Sequence, residues 1–118
     1  MKTLTVRSQE RPVAETEWGS LQWLVDQNAE WAGMTMGRVT FKEGQANPSH
    51  KHPTCDEILF VISGTLEHSV PEGGTVELNP GDCIVLPRDK PHWAKNIGTG
   101  EAVVLVAFNS ANRTVVGE

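Results

Sequence analysis

Two histidines separated by a single residue constrain the local fold of this chain more than any other feature. The two histidines are His50 and His52, and Glu57 lies five residues after His52. Residues i and i+2 of a β-strand point to the same face, so both imidazoles can aim at one point. After the turn-like pair Pro53 and Thr54, Glu57 opens an apolar run that can pair back antiparallel. The spacing therefore predicts extended structure and a cluster of metal ligands.

Short apolar runs divided by turn residues continue along the chain. They recur at intervals of roughly 6–12 residues, and no window shows a convincing helical period. This pattern is typical of an all-β sandwich or barrel. The run at residues 102–108 is the most apolar, which predicts a strand buried on both faces. The predicted strands cover residues 18–25, 31–42, 49–52, 56–62, 65–70, 75–78, 83–86, 92–96 and 102–108.

The first histidine stretch resembles the first motif of the cupin superfamily. Every signature position of that motif is filled, at the family's intervals, by Gly44, His50, His52, Glu57 and Gly64. The glycines of such motifs are expected to adopt backbone conformations with positive φ. This resemblance implies a role for the stretch in metal binding.

A later stretch resembles the second cupin motif, with Gly81, Pro87, His92 and Asn96 at its signature positions. The family usually has glycine where this chain has Asp89, a residue type that tolerates left-handed geometry better than most. Asn96 is expected to bond to the backbone and close a turn. The two motifs and their spacer cover residues 44–96.

The resemblance implies a jelly-roll β-barrel, also called a double-stranded β-helix, which agrees with the all-β pattern. We expect one cupin domain over residues 1–118, with its core at 31–110. Residues 1–17 are polar and are predicted to form an N-terminal arm or an edge strand.

The ligand set that the resemblance implies consists of His50, His52, Glu57 and His92. Three imidazoles and one carboxylate leave one or two open positions on a five- or six-coordinate ion. Such a site suits Fe, Mn, Ni, Co, Cu or Zn in the divalent state. We therefore expect one divalent transition metal, and the sequence leaves its identity open.

Two further residues are candidates for roles in the site. His68 shares a predicted strand face with Leu66 and Val70, so it is either a core histidine or a general base that lines the pocket. Arg38 can anchor a substrate carboxylate if its side of strand 31–42 faces the metal. The reason is that a guanidinium binds carboxylates bidentately. Otherwise it is a surface arginine, and the sequence alone does not decide between the two faces.

The two cysteines and three of the tryptophans have less specific patterns. Cys55 is expected to be an ordinary thiol that points away from the metal, with a soft ligand as the alternative. Cys83 lies in an apolar run and is predicted to be a small core residue. The tryptophans can either cap the barrel mouth or lie in a dimer contact; they are Trp23, Trp31 and Trp93.

Composition limits the partners of this chain. It has 118 residues, with ten basic and fifteen acidic side chains and a net charge of −5, which argues against nucleic acid or an anionic membrane surface. No run approaches the ~20 apolar residues of a membrane span, and the N-terminus lacks the apolar region of a secretory signal. We expect a cytoplasmic protein with a small-molecule ligand. The resemblance implies a homodimer paired through the N-terminal strand.

A metal with an open coordination position is compatible with three classes of function. The first is a non-redox enzyme that acts on a small polar metabolite such as a sugar acid, by isomerisation, ring opening or lyase chemistry. Small single-domain cupins of sugar and uronate catabolism are similar in size and motif layout. The second is an Fe(II)-dependent dioxygenase, and the third is a non-catalytic small-molecule binding or sensing module. The sequence favours an enzyme and does not identify the substrate.

Overall fold

The computed structural model describes residues 1–117, which form β-strands and two short 3-10 helices, Ser8–Glu10 and Gln27–Ala32. No helix in this part of the chain is long and apolar enough to cross a membrane. The strands are β1 (Val13–Glu15), β2 (Gly19–Val25), β3 (Thr35–Phe41), β4 (Glu57–Ser63), β5 (Leu66–Ser69), β6 (Thr75–Leu78), β7 (Cys83–Leu86), β8 (Ala94–Asn96) and β9 (Ala102–Phe108).

The strands form two antiparallel sheets that enclose one core. The larger sheet has the order β1-β2-β3-β9-β4-β7, and the smaller has the order β6-β5-β8. Strands far apart in sequence are neighbours in both sheets, as β3 and β9 are, so the chain crosses repeatedly between them. This arrangement confirms the predicted all-β jelly-roll fold.

The core lies between the two sheets and is filled by alternate residues of the central strands. On β4, Leu59 and Val61 point inward and are almost fully buried, as the alternation predicts. The smaller sheet contributes Leu66 and Leu78, and β9 contributes Val104. Removal of these apolar side chains from water is the main stabilising contribution to the barrel.

The predicted strand 31–42 begins later than the sequence indicates. Residues Gln27–Ala32 form a 3-10 helix that is broken at Ala29, where φ is −142° and ψ is 55°. The side chain of Asp26 caps its start by accepting a hydrogen bond from the backbone N–H of Asn28. The left-handed backbone of Gly33 then ends the helix. Trp31, predicted to open the strand, is instead an exposed residue of this helix.

Three other local predictions need correction. Residues 49–52 form isolated backbone bridges and not a regular strand. β9 is buried on one face only, since Ala107 is exposed and Leu105 is half-buried on the solvent side of the sheet. Cys83 is exposed, because β7 is an edge strand and Cys83 pairs with the outward-facing Phe60.

Turn residues of the two motifs have the geometry that their types predict. Gly44, Gly64 and Gly81 all have positive φ. At Gly64 a side chain is also excluded by space, because an added Cβ would lie 2.6 Å from the Cβ of Ala102. Among residues 1–117, Asp89 is the only residue other than glycine with positive φ, at 63°. The aspartate thus keeps the loop conformation that the family usually obtains with glycine.

Asn96 bonds to three backbone groups in two segments of the chain from within the core. Its amide nitrogen donates to the carbonyls of Phe41 and Gly100, and its amide oxygen accepts from the N–H of Gly98. The residue is 1% exposed. Its side chain therefore satisfies one buried and two partly buried backbone groups.

Replacing Asn96 with alanine should lower the free energy of unfolding by about 2–4 kcal/mol, because it leaves buried backbone groups without partners. Chemical unfolding monitored by circular dichroism measures this change. Lys95→Ala is the matched control, since Lys95 is exposed on the opposite face of the same strand; it should change stability by less than about 0.5 kcal/mol. Equal effects of the two substitutions would contradict the bridging role.

Candidate metal centre

Backbone pairing brings the two motifs together. His50 and His92 face each other across an antiparallel bridge with reciprocal N–H···O bonds of 3.0 and 2.8 Å. The histidine segment, residues 49–52, is paired on its other edge as well, where Lys51 forms a bridge with Val116 near the C-terminus. The histidine segment is therefore held on both sides, although it is too short to form a regular strand.

Four side chains converge on one point inside the barrel. Ligand atoms of His50, His52, Glu57 and His92 all lie within 4.8 Å of one another, and the four residues are buried. Oε1 of Glu57 lies 3.2 Å from Nε2 of His52 and 3.1 Å from Nε2 of His92. The structure thus brings together the four residues that the motifs suggested.

Backbone carbonyls orient the three imidazole ligands. Nδ1 of His50 donates to the carbonyl of Pro48, and Nδ1 of His52 donates to that of Thr114, both at 2.8 Å. Nδ1 of His92 lies 3.2 Å from the carbonyl of Lys90. A carbonyl only accepts hydrogen bonds, so each Nδ1 carries a proton, and in the neutral ring each Nε2 keeps its lone pair. Outer contacts of this kind are typical of histidines that bind metals.

Three atoms of the cluster have no hydrogen-bond partner among the described residues, although they are buried. They are Nε2 of His52, Nε2 of His92 and Oε1 of Glu57. Leaving buried polar atoms unpaired is costly, and a bound cation removes that cost. A set of three nitrogen ligands and one oxygen ligand fits a divalent transition metal. The cluster is therefore a site for one such ion.

Glu57 is ionised in this environment. Burial by itself raises the pKa of a carboxyl group, but hydrogen bonding and positive charge from His52 and His92, when their rings also carry a proton at Nε2, lower the pKa of Glu57 below its usual range. The carboxylate therefore supplies a negative charge to the site at neutral pH.

The metal cluster opens into a small cavity within the barrel. The volume of the cavity is only about 40 Å³, so it suits small molecules. Its walls are mainly apolar, with Leu21, Leu59, Val104, Val106 and Phe108 among them.

His68 lines the same cavity and is almost fully buried. Its Nδ1 donates to the carbonyl of Ser69 at 2.7 Å, so its Nε2 also keeps a lone pair. Burial lowers the pKa of His68, which favours the neutral imidazole. It is not one of the four clustered ligand residues, although its ring centroid lies 5.8 Å from that of His92.

Arg38 does not reach this cavity. Along β3, Val39 and Phe41 point inward, whereas Arg38 is exposed on the outer face opposite Leu105 of β9. Of the two alternatives for Arg38, the structure therefore shows the surface arginine, because the register of β3 turns the other face toward the metal. Cys55 is buried in the hydrophobic core and is not a member of the ligand cluster.

Sequence reasoning missed the contribution of the C-terminal tail. Thr114 holds His52 through its carbonyl, and Arg113 lines the cavity next to Trp23. The tail is polar and has no strand pattern. Every residue has a backbone carbonyl, so the residue type at position 114 does not indicate that its carbonyl binds His52. Of the three tryptophans singled out, only Trp23 lines the cavity.

Replacing His52 with alanine should abolish stoichiometric metal binding, with a loss of affinity of at least about 100-fold, because it removes a ligand directly. Elemental analysis after dialysis measures the ion content. His68→Ala is the matched control, since His68 lies in the same cavity outside the ligand cluster. A His52→Ala variant that retains one ion per chain would contradict the assignment.

The metal-free protein should lose stability as the pH falls below 6.5. Burial lowers the pKa values of His50 and His68 from their ordinary value of 6.5. Below that pH the unfolded chain takes up protons that the folded chain does not, so the free energy of unfolding falls. The expected slope is up to about 1.4 kcal/mol per pH unit for each histidine.

Urea unfolding in the presence of a chelator at pH 7.5, 6.5 and 5.5 tests this expectation. In this range the carboxylates remain ionised, so the histidines dominate the change. His68→Gln should reduce the slope, since one of the two groups is removed. A midpoint that is constant or that rises on acidification would show that these imidazoles are not kept neutral by the fold.

Comparison with known proteins agrees with the geometry. The family model described as a cupin domain matches residues 37–108. Germin-like protein 1-1 of Oryza sativa subsp. japonica is 38% identical over 82 residues, which cover 66% of this chain and 38% of that protein. Oxalate oxidase 1 of Hordeum vulgare is 36% identical over 100 residues, which cover 75% of this chain and 50% of that protein. The chain thus spans half or less of the length of these curated relatives.

The fold is also similar to solved structures. A mutant of the oxalate decarboxylase of Bacillus subtilis superposes with a TM-score of 0.85 at 25% sequence identity, over 94% of this chain and 31% of that one. The matched family model covers more than half of this chain and includes all four ligand residues. The chain therefore belongs to the cupin family.

Proposed function

We propose that this cupin is a metal-dependent enzyme that acts on a small polar metabolite. The expected reaction class is the isomerisation, ring opening or lyase chemistry of a sugar-acid type of substrate. The observation that carries the proposal is that the metal cluster and the buried His68 share one small cavity. A divalent ion held by the four ligands supplies Lewis acidity and an open coordination position.

The residues of this chain have distinct roles in the proposal. His50, His52, Glu57 and His92 hold the ion, and the apolar walls exclude water from the bound metabolite. His68 accepts a proton from the substrate at Nε2, while Nδ1 remains bonded to the Ser69 carbonyl. The carbonyl bond keeps the ring in the orientation and tautomer that this step needs.

An Fe(II)-dependent dioxygenase is the second candidate. The mainly apolar lining of the cavity favours it, because such walls suit an apolar substrate and protect reactive intermediates. One relative, Oxalate oxidase 1, is named as an oxidase. A non-catalytic small-molecule binding module has the same cavity and differs only in turning over no substrate.

Elemental analysis of tagless protein purified without chelators or nickel resin is the first experiment. We expect about one transition-metal ion per chain. Zinc, nickel or manganese would direct a screen of keto sugars and uronates, and iron would direct oxygen-uptake assays with small aromatic and thiol metabolites. Protein that contains no metal and takes up none on soaking would overturn both enzyme proposals.

His68→Gln should then lower kcat by about 10²- to 10⁴-fold with the identified substrate, which is the usual contribution of a general base. Steady-state kinetics measure the loss, and elemental analysis shows that the ion content is unchanged. A His68→Gln variant with unchanged kcat would leave His68 as a core residue only.

We also propose a cytoplasmic homodimer. The larger sheet has an exposed outer face with apolar side chains, among them Ile58, Phe60 and Ile62, and β1 is a short edge strand next to the N-terminal arm. A partner that covers this face or pairs with the edge would remove apolar surface from water. Light scattering at micromolar concentration should give about twice the chain mass of 12.9 kDa.

A further inference from the structure

Three polar side chains close the rim of the larger sheet beside the metal ligand Glu57. Asp56 directly precedes β4, Arg88 follows β7 by two residues, and Asn109 directly follows β9. These strands are neighbours in the sheet, in the order β9-β4-β7. None of the three residues occupies a signature position of the two motifs.

The carboxylate of Asp56 accepts hydrogen bonds from both of the other residues. Its Oδ1 accepts from the backbone N–H of Arg88 at 2.8 Å and from Nε at 3.2 Å, and its Oδ2 accepts from Nη2 at 3.0 Å. Nδ2 of Asn109 donates to the same Oδ2 at 2.9 Å, and Oδ1 of Asn109 accepts from the backbone N–H of Asp56 at 2.8 Å. These bonds form a rim network of Asp56, Arg88 and Asn109.

The geometry of the rim network differs from that of an ordinary surface ion pair. An exposed pair with a single contact contributes little, because water and salt screen it. Lys51 and Asp89 form such a pair, through one contact of 3.1 Å. Arg88 instead contacts the Asp56 carboxylate through two nitrogens of one planar group, which is the strong bidentate arrangement. The rim network can therefore hold its segments together although its side chains are partly exposed.

Glu57 occupies the last pair of the ladder on both sides of β4. It pairs with Leu86 of β7 and with Phe108 of β9. Strand ends fray at little cost in free energy, unless bonds beyond the last pair hold them. The rim network lies directly beyond these pairs and joins the three strand ends to one another. It therefore opposes fraying at the residue that carries a metal ligand.

Glu57 depends on this support more than the imidazole ligands do. Backbone carbonyls orient the three histidines through their Nδ1 atoms. Oε1 of Glu57 instead lies against Nε2 of His52 and Nε2 of His92, which are ligand atoms themselves. When these atoms bind an ion, the carboxylate is held through its own backbone, next to Asp56.

The rim network also fixes the loop that leads to His92. Arg88 lies in this loop, residues 87–91, and bonds to Asp56 through both its backbone and its side chain. The next backbone N–H, that of Asp89, donates to the carbonyl of His52 at 2.7 Å. Two consecutive residues of the loop are thus held against the first motif.

We propose that Asp56 and Arg88 are positioning residues of the metal centre, which hold the Glu57 carboxylate in place and slow the release of the ion. They act through the backbone of Glu57 and not by contact with the ion. The inference deepens the proposed function and rests on it for the bound ion.

The test follows the release of cobalt(II) from the loaded protein after mixing with a chelator, by stopped-flow absorption. The d–d bands of cobalt(II) depend on the number and geometry of its ligands, so one sample gives both the release rate and the coordination. Arg88→Met should release the ion about tenfold faster than wild type, as expected for the loss of a residue that orients a ligand. The same variant should shift the bands, because the carboxylate is bound for less of the time.

Asp56→Asn should have the same two effects as Arg88→Met. Either orientation of the amide places N–H donors against the N–H donors of Arg88, so the bidentate contact is lost. Because the two residues act through one contact, the double variant should release the ion no more than about twofold faster than either single variant. Release that is accelerated by the product of the two single effects would overturn the shared role.

Arg11→Met is the matched control. Arg11 pairs with Asp26 at 3.0 Å, the same distance as between Arg88 and Asp56. That pair lies at the end of β2, a strand that carries no metal ligand. The control should leave the release rate and the bands of cobalt(II) unchanged. Equal acceleration by Arg11→Met and Arg88→Met would indicate a general loss of stability and overturn the positioning role.

The loading of each protein is measured first, by elemental analysis. Wild-type protein that binds no cobalt(II) would overturn the proposed function at its metal site. A loaded Arg88→Met variant with the wild-type release rate and bands would overturn the positioning role alone. If Arg88→Met does not fold, Arg88→Lys decides, because the amine keeps the charge without the planar donors. Faster release with shifted bands in that variant supports the role, and wild-type behaviour overturns it.

Discussion

Hydrogen bonds from imidazole Nδ1 atoms to backbone carbonyls are the interaction on which the metal centre depends. The carbonyls of Pro48 and Thr114 hold His50 and His52, and each bond fixes both the tautomer and the ring orientation. Because each Nδ1 keeps its proton, the Nε2 lone pairs converge beside Glu57 with no protein partner of their own. The site is therefore pre-organised for a cation by the backbone and not only by its ligands.

This arrangement costs the barrel stability that a bound ion can offset. Glu57 and three histidines occupy the interior of a small domain, where apolar side chains would otherwise pack. A buried carboxylate among buried ring nitrogens has lost its contact with water, and a bound cation would compensate for that loss. Binding of the ion is thus coupled to folding, as in other sites whose ligands must be neutral or deprotonated.

The C-terminal tail links this centre to the mouth of the cavity. The carbonyl of Thr114 accepts a hydrogen bond from the metal ligand His52, and the preceding residue, Arg113, stacks on Trp23 in the cavity wall. The tail has no regular strand, yet it is paired to the histidine segment at Lys51.

The sequence by itself determined the all-β class, the jelly-roll resemblance, the four metal ligands and the turn roles of Gly64, Asp89 and Asn96. These features depend on local spacing and on residue types with few conformational alternatives. Only the tertiary structure decided that Arg38 faces solvent and that Arg113 faces the cavity. The face of β3 that turns inward depends on its register with β2 and β9, and the position of the tail depends on pairing across about sixty residues. Long-range pairing of this kind leaves no periodic signal in a single sequence.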